Sequence, residues 1–211
     1  MAASDPTTML QFLRGRASDR KLRLFGVACC RRIQGLLDQT GREAVEVAER
    51  DADGLASTDE QRKMENLAWW DADGLNYEEE HIWIAGWAAH AAVEGQPTYA
   101  AVLAVNAAKR ADEAVFQCLL LRDIFGNPFR PSPPLPAYVL AWNDRTVPRI
   151  AQAIYDDRKM PEGTLDTARL AILADALLDA GCEDEALHQH LREPGPHVRG
   201  CFAVDTLLGR E

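Results

Sequence analysis

The chain has 211 residues, 47% of them hydrophobic and 27% charged, which suits one domain or two small ones sharing an interface. No apolar run approaches the roughly 20 residues that cross a bilayer, so no membrane span is expected. A net charge of −10 argues against general nucleic-acid binding through the phosphate backbone.

Helix signals follow one another from the start. Asp5-Pro6 pairs a capping residue with Pro at the first helical position, Met9, Leu10, Phe12 and Leu13 form an apolar side, and Gly15 ends the segment. Ser18 caps a longer helix with Leu22, Phe25, Cys29 and Ile33 at three- and four-residue steps and a basic outer face. Gly41 to Leu55 reads as a third helix, and Thr58-Asp-Glu-Gln61 as a capping box opening a fourth that runs through Trp69-Trp70. A polar break at Asp73-Gly-Leu-Asn76 precedes an Ala-rich helix from Tyr77 to Val93, closed by Gly95-Gln-Pro97. Thr98 begins the longest predicted helix, to about Phe125.

Gly126 and Asn127-Pro128 stop that helix, because Gly tolerates left-handed angles and a residue before Pro is pushed out of the α region. The Pro-rich passage that follows carries Phe129 and Trp142 and reads, with Phe125, as a connector packed on the core. Asp144 then caps a helix through Tyr155, with Pro148 in its first turn. Leu165 to Ala180 is helical, with Ala168, Ile172, Leu173, Ala176 and Leu177 inward and Gly181 as its stop. Asp184 to Leu191 and His197 to Leu208 complete the set. The expectation is an all-α protein of eight to ten helices: an N-terminal bundle over 1–125, a connector over 126–143 and a C-terminal subdomain over 144–211, folding as one cooperative unit.

Five cysteines, an odd number that includes adjacent Cys29-Cys30, do not form a disulfide framework, and the N-terminus lacks the basic-then-apolar order of a secretory signal. A reducing cytoplasm is the expected address. Charge is uneven: Met1 to Arg32 has seven Arg and Lys against two acidic residues, and Glu43 to Glu80 has three against thirteen. Such faces either steer a partner or pair with each other across the fold.

Several segments carry a resemblance. Asp5-Pro-Thr-Thr-Met-Leu-Gln-Phe-Leu-Arg-Gly15, Ala17-Ser-Asp-Arg-Lys-Leu-Arg-Leu-Phe25, Leu121-Arg-Asp-Ile-Phe-Gly-Asn-Pro-Phe-Arg-Pro131 and Gly195-Pro-His-Val-Arg-Gly-Cys201 resemble a large paralogous family of uncharacterised planctomycete proteins. The similarity covers nearly the whole chain apart from Trp69–Ala108 and implies no activity or cofactor. Val27 and Leu191 stand where the family pattern has Cys.

Three groups of residues have the types that chemistry needs. Glu78-x-x-His81 and Glu185-x-x-His188 each put a carboxylate and an imidazole on one helix face; with Glu46 or Glu49 and Glu113 they supply the ligand order of a ferritin-like di-iron bundle. Both pairs lie in acidic runs that also read as solvated surface. Near the C-terminus, Cys182, His188, His190, His197 and Cys201 have the donor types of a zinc site, with His197 and Cys201 four apart on one predicted helix face. Cys29 and Cys30 beside Arg31-Arg32 have the surroundings of an activated thiol, although Cys29 lies on an apolar stripe. No complete catalytic set or phosphate-binding loop is present. The leading expectation is therefore a non-enzymatic helical module that binds a protein partner through an acidic surface, including Asp59, Glu60 and Glu65, and the Trp69/Trp70 edge. The alternative is a metal-binding protein or metal-dependent enzyme, with zinc or di-iron as cofactor.

Overall fold

Ten α-helices and one 3-10 turn make up the regular structure among the described residues, which in this computed structural model are 5–74, 80–93, 103, 113–129 and 134–210. Within these, only the backbone is described at 69–74, 80–84 and 93. The chain divides into two compact units, Met1–Leu121 and Arg122–Glu211.

In the first unit, short polar side chains set the helix starts by taking N–H groups that have no intrahelical acceptor. Asp5 accepts from Thr7 and Thr8, both at 3.1 Å, ahead of α1 (Pro6–Leu13). Ser18 accepts from Lys21 at 3.3 Å ahead of α2 (Asp19–Arg32). Asp38 accepts from Gly41 at 2.7 Å ahead of α3 (Gln39–Ala52), so this helix starts and ends earlier than the predicted Gly41 to Leu55. At α4 (Thr58–Gly74) it is Ser57, not Thr58, whose hydroxyl takes the Glu60 N–H, at 3.2 Å. α5 (Glu80–Val93) buries Ala85, Ala88, Ala89 and Ala92, and these small side chains let α2, α3 and α4 pack closely on it. The last helix to begin in this unit is α6 (Glu113–Phe125), the described end of the predicted long helix. The Asp73–Asn76 break beyond Gly74 and the Gly95–Pro97 stop lie outside the described residues.

The uneven charge is settled in part inside this unit. Arg20 pairs with Asp53 at 3.0 Å, Arg23 with Asp51, and Arg31 with Glu49 at 2.5 Å, the last pair almost fully buried. The basic outer face of α2 thus meets the acidic face of α3.

In the second unit, Gly126 ends α6 at φ +62, and a Cβ there would lie 3.0 Å from the Phe202 ring. The connector packs only in part. Leu135 and Trp142 lie against the core, but Phe129 is 74% exposed, contrary to expectation; the Asn127 side chain accepts its N–H at 3.0 Å in a tight turn that carries the ring outward. The next helix, α7 (Ala137–Asp156), starts earlier than predicted and is broken at Trp142–Arg145. Asp144 is not its cap: Asn143, Asp144 and Arg145 all have left-handed φ, from 45° to 61°. Pro148 falls in the first turn after that break, where no helical N–H is lost.

α8 (Thr167–Asp179) is capped by Asp166, and α9 (Glu185–Arg192) by Asp184. Leu170, Leu173, Ala174 and Leu177 form the inward stripe of α8, whereas Ala168 and Ile172, expected inward, are exposed because each is two residues from Leu170 and so about 200° round the helix from it. α10 (Phe202–Leu208) closes at Gly209. The predicted helix from His197 is shorter than expected: 197–201 is a turn that the Thr164↔Val198 bridge and a 2.8 Å bond from the Leu165 N–H to the His197 carbonyl hold out of helical form. α7 packs on α8 and α10, and α9 on α8, around Tyr155, Leu170, Leu187, Leu191 and Val204.

Candidate metal centre

The second unit gathers four polar side chains onto one buried point. Asp123, on α6 just before its stop, turns Oδ1 toward His190 Nε2 at 3.0 Å and His197 Nδ1 at 2.9 Å, while its Oδ2 accepts the Val198 N–H at 2.9 Å. His190 comes from the last turn of α9. His197 follows the Glu193–Pro196 turn, where Gly195 has φ +92 and a Cβ would sit 2.8 Å from the His197 backbone nitrogen and 3.1 Å from its ring. A side chain at 195 would therefore push His197 away from Asp123. Gly200, at φ +89, reverses the chain into α10 and leaves Cys201 at the helix entrance, with Sγ 3.3 Å from His190 Nε2. One donor atom from each of Asp123, His190, His197 and Cys201 lies within 4.8 Å of all the others.

The side chains polarise one another. Burial opposes the charge of Asp123, yet hydrogen bonds from His190 and His197 outweigh it and hold the carboxyl below its usual range. Burial also opposes a charged His197, but the hydrogen bond and negative charge of Asp123 win and raise its pKa. The Cys201 thiol is pushed well up by burial and then by Asp123. A divalent cation would replace the protons that these groups hold, since a coordinated thiol ionises outright. One carboxylate oxygen, two imidazole nitrogens and a thiol sulfur are the donors zinc takes, at bonds of about 2.0–2.3 Å.

The remaining predicted ligands stand elsewhere. His188 Nε2 donates to the Cys182 carbonyl at 2.8 Å, so Cys182 and His188 are outside the cluster. Residues two apart on a helix point about 200° apart, and His188 and His190 cannot both face one centre. Asp123 is the member of the cluster that sequence reasoning missed, 74 residues from His197. Of the di-iron set, Glu78 lies outside the described residues and His81 is described only as backbone in α5. Glu46 and Glu185 are exposed, while buried Glu49 and Glu113 pair with Arg31 and, at 3.3 Å, Arg32. Among the described residues these carboxylates form no shared centre.

Cys29 and Cys30 are fully buried: burial, then Cys30 and Glu113, pushes the Cys29 thiol well up, and burial overrides the Arg31 charge to push that of Cys30 to about 12. Both thiols are thereby held in the protonated form, the opposite of the lowered pKa that activates a nucleophile. On the acidic surface, the Asp59 side chain is 97% exposed, Glu65 is half-buried, and Glu60 is held by Arg50 through bonds of 2.5 and 3.1 Å. The Trp69 and Trp70 side chains lie outside what is described. No protein-family model, curated protein or solved structure matches the chain.

Proposed function

We propose that the protein is a metal-binding α-helical module whose C-terminal unit is built around one zinc ion held by Asp123, His190, His197 and Cys201. The convergence of these four donor atoms within 4.8 Å carries the reading. Its support is the way the ligands are held from behind. His197 Nε2 donates to the Glu193 carbonyl at 3.0 Å, which leaves Nδ1 for the metal, and Val198 occupies the second oxygen of Asp123. Four protein donors fill a tetrahedral sphere, the arrangement of structural zinc, whereas catalytic zinc keeps a place for water. The chain is proposed to belong to the planctomycete family its motifs resemble; two of those motifs hold Asp123, His197 and Cys201. Five free cysteines favour a reducing, cytoplasmic address.

Elemental analysis of protein purified without an affinity metal column tests the reading. One zinc per chain, lost in His197→Ala and Cys201→Ala, supports it. Substoichiometric metal in folded protein refutes it, and two irons per chain lost in His81→Ala would move the site to the carboxylate set.

A second role, as a protein-interaction module, is favoured by one observation: Asp59 projects fully from α4, with Leu55 and Leu67 also exposed. Its test is whether Asp59→Lys abolishes capture of a partner while the fold stays intact.

A further inference from the structure

The four ligands are not equally fixed. The side chains of Asp123 and His197 are 2% and 1% exposed, and Cys201 is fully buried. Two of these are also held from behind, Asp123 by the Val198 N–H and His197 by the Glu193 carbonyl, while Cys201 sits buried at the entrance of α10. His190 differs on both counts. Its side chain is 13% exposed, and its remote nitrogen, Nδ1, lies 3.9 Å from Glu193 Oε2, beyond hydrogen-bond length. A ligand imidazole normally donates its other N–H to a fixed acceptor, and that bond sets the ring's orientation. His190 lacks it and is steadied by ring contacts instead, edge-on to His197 at 4.9 Å and tilted on Phe202 at 4.4 Å. It also stands in the last turn of its helix, where fraying is least costly.

We infer that His190 is the displaceable ligand of this site, the side chain that swings aside to let a metal ion enter and leave while Asp123, His197 and Cys201 hold their positions. The inference rests on the zinc reading above and adds its kinetics. Rotation of the ring outward brings Nδ1 toward the exposed Glu193 carboxylate, which receives it while a water takes the vacated coordination position.

The test follows zinc transfer from the loaded protein to a chromogenic chelator, alongside zinc content at equilibrium. His190→Ala is expected to retain zinc through three ligands and water and to release it at least about tenfold faster, the size of effect that losing even an outer partner brings. Phe202→Leu keeps most of the packing volume and should speed release with all four ligands in place, which keeps the inference testable if His190→Ala folds poorly. His197→Ala and Cys201→Ala should fail to hold zinc at all. Release from both His190→Ala and Phe202→Leu at the wild-type rate would overturn the gate but leave the zinc site standing. Loss of zinc from His190→Ala as complete as from His197→Ala would overturn the ranking of the ligands. Wild-type protein that binds no zinc would overturn the site and the gate together.

Discussion

His197 and Glu193 define the candidate centre from behind: the imidazole Nε2 donates to the Glu193 backbone carbonyl at 3.0 Å, and Nδ1 is thereby aimed at Asp123. Because the acceptor is a carbonyl, substituting the Glu193 side chain leaves this bond intact. Glu193→Ala is expected to keep zinc at one per chain, whereas Gly195→Ala, which drives a Cβ to within 2.8 Å of the His197 backbone nitrogen and 3.1 Å of its ring, should lower zinc content. Equal retention in both variants would show that the turn does not position the ring.

Asp123 carries the polar network of this unit even without metal. Its carboxylate is buried, takes the Val198 N–H and faces two imidazoles. Removing one partner from such a buried charged cluster costs about 3–5 kcal/mol. Asp123→Ala should lower the stability of metal-free protein by that amount in urea unfolding followed through the second unit, and a loss under about 1 kcal/mol would mean the network is weakly formed.

Much of this fold was legible, and what escaped has particular causes. Asp5, Ser18 and Asp184 act as caps because capping is local chemistry, decided within three residues. The Cys and His residues of the C-terminal segment stood out by type. Their sorting is not legible: choosing His190 over His188 requires knowing which face of α9 meets the Glu193–Cys201 turn, and the helix expected from His197 hides the second half of that turn. Asp123 gave no signal, since it is a lone acidic residue beside Arg122 at an apolar helix end and only tertiary folding brings it to His197. The left-handed run at Asn143–Arg145 hid behind Asp144, whose type suits a cap.

Gly126 and Gly209 separate backbone strain from packing. Both have left-handed φ, +62 and +65, but a Cβ at 126 meets the Phe202 ring at 3.0 Å while one at 209 meets nothing within 4 Å. Gly209→Ala should cost about 1–2 kcal/mol, the left-handed penalty alone. Gly126→Ala should cost more, measured by urea midpoint, and equal losses would show that Phe202 moves aside freely.

Asp166 offers a pH signature away from the centre. The Lys159 ammonium, 2.9 Å away, and the N–H groups of Arg169 and Ala168 hold its carboxyl below the usual value. A depressed folded pKa means that its contribution is present above the unfolded value of about 3.9 and is lost as pH falls through the folded one. The carboxyl carbon should titrate below that value by NMR, and Lys159→Ala should move the midpoint upward. An unmoved midpoint would remove Lys159 as the cause.

Cobalt(II) substitution tests the central claim most directly, because its spectrum reports geometry and sulfur ligation together. One equivalent of cobalt added to metal-free protein should produce the strong visible bands of a tetrahedral ion and a near-ultraviolet thiolate-to-metal band, with Cys201→Ser abolishing the latter. A weak octahedral spectrum, or a thiolate band that persists in Cys201→Ser, would contradict a centre built from Asp123, His190, His197 and Cys201.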